Sequence, residues 1–550
     1  MSEVTPSSMP ALTPEPDLLD PALTPQDKPT GEGVALEAPS KRSGPQTVAS
    51  AAMLLVFANL ATAVLGLVRT WYINRLFGAG AETDAYNAAF ILPDQISYFL
   101  VGGVGSATLV TMLTRFRERG DQRGEDETLS AVLNAMLVVF GVVLVLAELL
   151  TPLYVHVAFC KFDAQTAALC VSLTRLLLPG QIFFFTGGGF GARLLARKIF
   201  YYQAASPFIY TLGILVGAFL FSHRYGVYSL PIGVLIGVVA GPGLLTAYGA
   251  FRSGLHYTPG WTLRHPAFRE WLVKNLPLML GVSVSAADKW IAAHYAAADP
   301  GGISRYTVAK TLFNSPLNII GAAAGAASLP FFASLHARGR EWDFSVSVSN
   351  SVSRLLALGA LMTAWMIALA PWLLDLFRTG HFKRSDAAET ATYFAVFALS
   401  LGVWQAQGIY ARAFYAAQDT RTPLIAGTVI VLLSLPMYNW LFATQGTLGL
   451  AVASDVGMAA NALTLAVLLH KKRLVSIAHM DWEELLRSLL AAVLAGVLIR
   501  WLVGMLHASR GYKGDLVVVL VGSLVWAVVC FGVLTVTGSK LPRQVLRRGR

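Results

Sequence analysis

The sequence predicts an all-α polytopic membrane protein of about fourteen transmembrane helices, built as two six-helix lobes in a pseudo-twofold arrangement plus two C-terminal helices. Three observations predict it. Of 550 residues, 55% are hydrophobic and only 13% charged, with a mean hydropathy of +0.58, which does not fit a soluble domain with a charged surface. Apolar runs of roughly 20 residues, the length that spans about 30 Å of hydrocarbon, recur from about Val48 to about Val536. The sequence also repeats itself: Tyr86, Ala89, Leu92, Gly105 and Leu109 fall on Tyr306, Ala309, Leu312, Gly325 and Leu329 when shifted by 220 positions.

Residues 1–47 are rich in Pro, Ser, Thr and Glu and poor in aromatics, so they cannot bury enough apolar surface to fold and form a disordered cytoplasmic tail. No short apolar core with a cleavage site stands near Met1, so this is not a signal peptide, and the first span itself directs insertion. Six spans over 48–252 make the first lobe, and six over 253–473, with the loop leading into them, make the second. Two more spans lie within 474–539, and 540–550 is a basic tail. Further echoes support the division. RERG ending at Gly120 is matched by HARG ending at Gly339, and TPLYVHVAF from Thr151 by APWLLDLF from Ala370. ARKIFYYQAASP, Ala196 to Pro207, is matched by AFYAAQDTRTP, Ala413 to Pro423. Six is even, so the copies run parallel, related by an axis along the membrane normal.

The net charge of +11 does not mark a nucleic-acid partner, because the basic residues fall in short loops between spans. Arg115, Arg117, Arg119 and Arg123, then Arg197 and Lys198, then Arg252, Arg264 and Arg269 fall on one side. Arg338 and Arg340, Lys471 to Arg473, and the tail from Lys540 fall on the same side. Arg378, Lys383 and Arg384 are the exception. The bias places both termini in the cytoplasm. Cys160, Cys170 and Cys530 have neither zinc spacing nor a disulfide framework, and read as small apolar residues.

The chemistry lies in ions inside apolar segments, which by default mark a transport route. Arg69 either faces a cavity or snorkels from a helix end to the headgroups. Asp84, after Thr83 at the start of a span, either faces the cavity or caps the helix. Asp94 follows Pro93, where a broken helix frees backbone groups, and suits either coupling-ion binding or capping. Asp288 and Lys289 fall mid-span, where each charge costs about 2.5–3.5 kcal/mol, and being adjacent they do not share a face. They line a cavity, or Asp288 bridges to another helix through Lys310. Arg193 and Arg412 end corresponding spans as gates or as anchors; Asp455 is a cavity ion or hidden polar glue. Gly187 to Gly189 and the GAAAGAAS run from Gly321 lack a following Lys-Ser/Thr and lie in apolar helices, so they serve close packing rather than phosphate binding.

Three segments carry a family resemblance. RTWYINRLFGAGAETDAYNAAFILP, Arg69 to Pro93, resembles the first hairpin of the MurJ (MviN) lipid II flippases of the multidrug/oligosaccharidyl-lipid/polysaccharide superfamily. NLPLMLGVSVS, Asn275 to Ser285, resembles the start of that family's seventh span, and FYAAQDTRTP, Phe414 to Pro423, its signature after the tenth. The resemblance implies two six-helix lobes around a cationic cavity, with the last two helices forming a groove for a polyprenyl tail. The implied substrate is lipid II, an undecaprenyl-pyrophosphate-linked disaccharide-pentapeptide moved from the cytoplasmic to the periplasmic leaflet of the bacterial inner membrane, without covalent chemistry. Arginine suits this task, since its planar fork binds a pyrophosphate bidentately and stays charged. Arg69 and Asp84 match family positions, but Ala63, Ser97, Gly102 to Val104 and Thr311 stand where the family carries arginine or EGA. Lys289, Lys310 and Arg412 are the cations available to replace them.

The candidate substrate residues are therefore Arg69, Asp84, Lys289, Lys310 and Arg412, and the candidate ion-coupling or gating residues Asp94, Asp288, Arg193 and Asp455. The partners expected are a lipid-linked pyrophosphate glycan, membrane lipids and a coupling cation, Na⁺ or H⁺; no cofactor or metal is expected. Two other functions compete: a multidrug or cation antiporter of the same superfamily, whose cavity would be acidic and aromatic, or a non-transporting scaffold. A flippase for another polyprenyl-linked glycan is the nearest alternative. No Ser/His/Asp, metal-ligand or Walker pattern supports an enzyme.

Overall fold

The computed structural model describes residues 48–100, 103–273, 275, 287–505 and 511–542. The tail 1–47, most of the stretch resembling the seventh span's start (276–285) and residues 543–550 of the basic tail lie outside the described residues. Among the described residues every regular element is helical.

The first half runs α1 (Val48–Phe77), α2 (Ala81–Ala89), α3 (Ile91–Leu100), α4 (Gly103–Glu118), α5 (Gln122–Ala158), α6 (Ala164–Leu177), α7 (Gln181–Ala196), α8 (Tyr201–Tyr225), α9 (Ser229–Val238) and α10 (Thr246–Arg252). A short helix, α11 (266–273), leads into the second half. There follow α12 (Ala287–Ala296), α13 (Gly302–Ala337), α14 (Glu341–Asp375), α15 (Arg384–Leu399), α16 (Leu401–Ala416), α17 (Arg421–Gln445) and α18 (Thr447–Lys471). The chain ends with α19 (Trp482–Met505) and α20 (Tyr512–Val536).

Eight of the described helical segments are long and apolar enough to cross a bilayer, and nine if α15 and α16, bent by 43°, count as one. Fourteen is not reached by this measure for identifiable reasons. The second predicted span is divided into α2, α3 and α4, and Tyr201–Arg252 counts once although Gly226, at φ +52°, turns the chain between α8 and α9. Large apolar side chains face outward along these helices, Leu149 and Leu433 each 68% exposed, as lipid-facing surface requires.

The duplication reaches the backbone. Lys198 and Gln418, 220 positions apart, both adopt left-handed φ of +59° as non-glycine helix ends. Gly226 and Gly446, also 220 apart, have φ of +52° and +61°.

Close packing is carried by small residues. A Cβ on Gly213 would stand 2.3 Å from the Gly237 Cα, and one on Gly217 2.3 Å from the Gly233 Cα, so α8 and α9 meet backbone to backbone along two Gly-x-x-x-Gly faces. Gly187 in the triple-glycine run would likewise drive a Cβ to 2.1 Å from the Pro242 carbonyl oxygen. For the run from Gly321, the side chains of residues 322–327 lie outside the described set.

The last two helices dock on α14. Ala491, Ala492, Ala495 and Leu534 pack with Leu361, and Ile499 and Val518 with Leu369. The Trp526 Nε1–H donates to the Leu361 carbonyl at 2.8 Å, and the Trp365 Nε1–H to the Ser523 hydroxyl at 2.9 Å.

Candidate functional site

A chamber of 390 Å³ opens between the two halves, with walls from α1, α2, α3 and α8 on one side and α12 and α13 on the other. Its polar lining comprises Arg69, Asp94, Lys289, Lys310, Asn87 and Asn314, beside the tyrosines Tyr86, Tyr210 and Tyr306. The α2–α3 junction shapes the first wall. The helix breaks at Phe90, and Pro93 falls at the third position of α3, where its missing N–H costs nothing in hydrogen bonding.

Of the three cations, Arg69 has no ion-pair partner among the described residues, so its guanidinium fork is available. The Lys289 ammonium pairs with Asp94 at 2.7 Å; both are partly exposed to the chamber. Asp94 therefore ties two halves together rather than capping a broken helix. Lys310 donates to Asp288, to the Ser454 hydroxyl at 3.0 Å and to the Tyr306 hydroxyl at 3.4 Å. Its ammonium also lies 5.1–5.5 Å from the ring centres of Tyr306, Phe397 and Trp404, a cage that holds a cation by ring quadrupoles. Tyr438 donates to Asp288 from α17, so Asp288, half-buried, is held in an interhelical bridge and is not a lining residue. With Lys289 paired to Asp94 and Lys310 to Asp288, the three lining cations leave the chamber one net positive charge, that of Arg69.

Asp84, expected among the substrate residues, is withdrawn from the chamber. It is 2% exposed and accepts from the Gly301 N–H at 2.6 Å, the Ser304 N–H at 2.8 Å and the Ser304 hydroxyl at 2.6 Å. A carboxylate of the first half thus caps the N-terminus of α13 in the second, where the helix dipole favours a negative charge. Its mate Ser304 is 220 positions away, the repeat distance, so the contact joins equivalent positions. Beyond the chamber-lining stretch of the α2–α4 run, Thr108 donates to Asn275 at 3.0 Å and Arg115 bridges Glu270 of α11 at 3.3 Å. The halves are therefore fastened on either side of the chamber.

The remaining candidates stand elsewhere. Arg193 is fully buried in an ion cluster with Glu125, at 3.3 Å, and Asp126, and reaches the Gly254 carbonyl at 3.2 Å. It fastens the loop after α10 to α5 and is neither a chamber gate nor a lipid-facing anchor, because acids adjacent in sequence at the start of α5 enclose it. Arg412 is half-buried on α16, outside the chamber lining and without an ion pair among the described residues. Asp455 also lies outside the lining. One oxygen accepts from Ser400 at 2.5 Å and the other is buried without a hydrogen-bond partner.

The 220-position shift seen at Tyr86 and Tyr306 also carries Arg69 onto Lys289, Asn87 onto Thr307, Phe90 onto Lys310, Ile91 onto Thr311 and Asp94 onto Asn314. All twelve of these residues line the chamber. The lining is thus two copies of one pattern facing each other, and Arg69 alone, shifted by the repeat, points to Lys289.

An apolar groove of 610 Å³ lies away from the chamber, between α14, α16 and α19, lined by Ala360, Ile367, Val403, Val493 and Val497, with Arg500 at its edge. Among the last two helices only α19 lines this groove; α20 packs against α14 through Gly522, where a Cβ would stand 2.7 Å from Leu369.

Solved structures share this architecture. An inward-closed lipid II flippase MurJ superposes with a TM-score of 0.72 at 21% identity, covering 88% of this chain and 99% of its own. An inward-facing multidrug resistance MATE family transporter of the MOP superfamily superposes with a TM-score of 0.62 at 14% identity, covering 77% and 97%. Among curated relatives, the lipid II flippase MurJ of Burkholderia cenocepacia is 28% identical over 508 residues, covering 88% of this chain and 96% of the relative. A probable lipid II flippase MurJ of Thermotoga maritima is 22% identical over 492 residues, with the same coverages. The family profile described as "Lipid II flippase MurJ" matches residues 73–522, from the last turns of α1 into the first half of α20. With a match of that extent over the duplicated helical body, the chain belongs to the lipid II flippase MurJ family.

Proposed function

We propose that this protein is an alternating-access flippase that moves lipid II from the cytoplasmic to the periplasmic leaflet of the bacterial cytoplasmic membrane. The observation that carries the reading is the chamber between the halves, where Arg69, Lys289 and Lys310 converge from both walls. A cationic chamber fits a pyrophosphate and disfavours the organic cations of a multidrug antiporter, whose cavity would need the opposite sign.

In this mechanism the free Arg69 fork takes one phosphate, and the arriving anion competes with Asp94 for Lys289. Lys310, braced by Asp288 and three rings, turns a fixed ammonium toward the chamber, its charge balanced from behind by Asp288. Closing the Asp84 side while the Thr108 and Arg115 side parts admits the headgroup from the cytoplasm, and the reverse releases it. The polyprenyl tail lies in the apolar groove beside α19, outside the polar chamber. The reading takes fourteen crossings with both termini cytoplasmic, lobes at 48–252 and 253–473, and α19–α20 appended. A proton or Na⁺, or the membrane potential at about 2.3 kcal/mol per charge per 100 mV, biases the cycle.

The test is lipid II exposure on the outer face of cells depleted of their resident flippase. The wild-type chain restores it. Arg69→Ala and Lys289→Ala, inserted at normal levels, lower it at least tenfold, and Arg69→Lys recovers only part because an ammonium cannot grip bidentately. Full restoration by both alanine variants, or none by the wild type, rejects the reading.

A further inference from the structure

Six of the cations on the face that the charge bias assigns to the cytoplasm are paired within the fold. Arg115 pairs with Glu270, Arg123 with Glu127, Arg197 with Glu125, Arg340 with Asp343, Lys472 with Asp419 and Lys540 with Asp481. Among those left without an ion-pair partner in the described residues are His470, Lys471 and Arg473, exposed at the end of α18. They are gathered rather than scattered. All three line a pocket of 620 Å³, whose other wall is the first turns of α14, with Trp342 and Ser345, and the connector to α19, with His479.

The pocket is built as well as charged. The Ser345 hydroxyl bonds the His479 ring at 2.9 Å and accepts the Ser476 N–H at 2.8 Å, and Ser349 donates to the Ser476 carbonyl at 3.0 Å. These bonds hold the connector against α14 and fix the pocket's shape. Trp342, 67% exposed, leans on the His479 ring with centroids 6.0 Å apart. An exposed indole where a transmembrane helix ends belongs at the headgroup level of a bilayer. Glu341 is the single acid in the lining, against Lys471, Arg473 and two histidines.

We propose that this pocket docks the phosphodiester headgroup of an anionic glycerophospholipid in the adjoining leaflet, separately from the chamber that takes the transported lipid. Unpaired Lys and Arg immediately beside a membrane-spanning helix bind anionic lipid by just this chemistry. A lipid fits better than a protein, because the pocket joins the ends of two bilayer-spanning helices and its indole marks the interface depth. The leaflet follows the topology proposed above; the binding chemistry does not depend on it. The connector joins α18 to the groove-forming α19, so an occupied pocket ties the second half to α19 through a lipid.

The experiment titrates the purified full-length protein in detergent with short-chain dihexanoyl phosphatidylglycerol, dihexanoyl phosphatidylcholine and inorganic phosphate, reading tryptophan fluorescence. The expected result is saturable binding of the phosphatidylglycerol, no saturable binding of the phosphatidylcholine, and weak competition by inorganic phosphate. Each cation removed near an anionic lipid weakens binding about fivefold, so the pair K471Q and R473Q together weakens it about 25-fold. Trp342→Phe abolishes the fluorescence response while a calorimetric titration still reports binding. Arg338→Gln, an exposed basic residue outside this pocket, leaves affinity unchanged. Three results overturn the proposal: equal affinity of the double variant and wild type, inorganic phosphate binding as tightly as the lipid, which marks a plain anion site, or, in a parallel titration, binding of an acidic peptide but not of the lipid. Normal lipid II flipping in the double variant separates a failure here from a failure of the proposed function.

Discussion

Replacing Asp84 by alanine should release one end of the chamber. The carboxylate is 2% exposed and receives three hydrogen bonds, all from the α13 N-terminus of the other half. A hydrogen bond to a charged group contributes about 1.5–3 kcal/mol, and water replaces part of that once the halves separate. Counting the set as worth one to two such bonds gives about 2–4 kcal/mol in favour of the closed arrangement at this end. At about 1.4 kcal/mol per decade, Asp84→Ala then shifts the closed-to-open ratio by about 30- to 900-fold. The assay is the distance between spin labels at Glu82 on α2 and Ala388 on α15, both exposed at this end, in a background where the exposed Cys160 is alanine. Wild type should give one short distance, and Asp84→Ala a second, longer population that dominates. Asp84→Asn should fall between, since the amide oxygen still accepts but carries no charge toward the helix dipole. An unchanged distance distribution in Asp84→Ala, with the protein folded, refutes the view that this contact fastens the halves.

Three further outcomes follow from the same structure. Lys310→Ala takes the cation from the half-buried Asp288 and should destabilise the protein by about 1.5–3 kcal/mol, while Lys310→Ala with Asp288→Asn recovers most of that; thermal melting in detergent measures both. Gly217→Val puts a branched side chain where a Cβ already meets the Gly233 backbone at 2.3 Å, so it should separate α8 from α9 and cut the yield of folded protein several-fold, whereas Gly427→Ala, with open space around it, should be neutral. Burial alone would raise the Asp419 carboxyl, between α16 and α17, but hydrogen bonds from Lys472 and Thr422 outweigh it and bring its pKa down to about 2. Because the folded value lies below the unfolded one, its stabilisation is present above about pH 4 and is lost as pH falls toward 2; Asp419→Asn should flatten the melting temperature over that window.

The membrane architecture was legible because hydrocarbon imposes its terms on every span: long apolar runs, basic residues kept to loops, small residues at helix crossings. The duplication was legible too, and the structure extends it to the left-handed turns at Lys198 and Gln418. The site was legible only in part. Arg69, Lys289 and Lys310 were found as ions in apolar surroundings, but nothing in the order of residues separates a lining ion from a buried bridge. Asp84 and Arg193 look as functional as Lys289 in sequence, yet their partners Ser304 and Asp126 lie 220 and 67 positions away and only the folded chain brings them together. The break at Phe90 was not legible, since no glycine announces it and it precedes Pro93.

The paired lining of the chamber has an evolutionary consequence. Arg69 and Lys289 are the same ancestral position met twice across one axis, while at Phe90 and Lys310 only the later copy is charged. Seats related by that axis are interchangeable in reach, so a cation lost from one can be regained on its counterpart without redesigning the vestibule. Relatives can accordingly drift in which seats are occupied while conserving the sum, and Lys introduced at Phe90 is the natural suppressor to seek for a defect at Lys310.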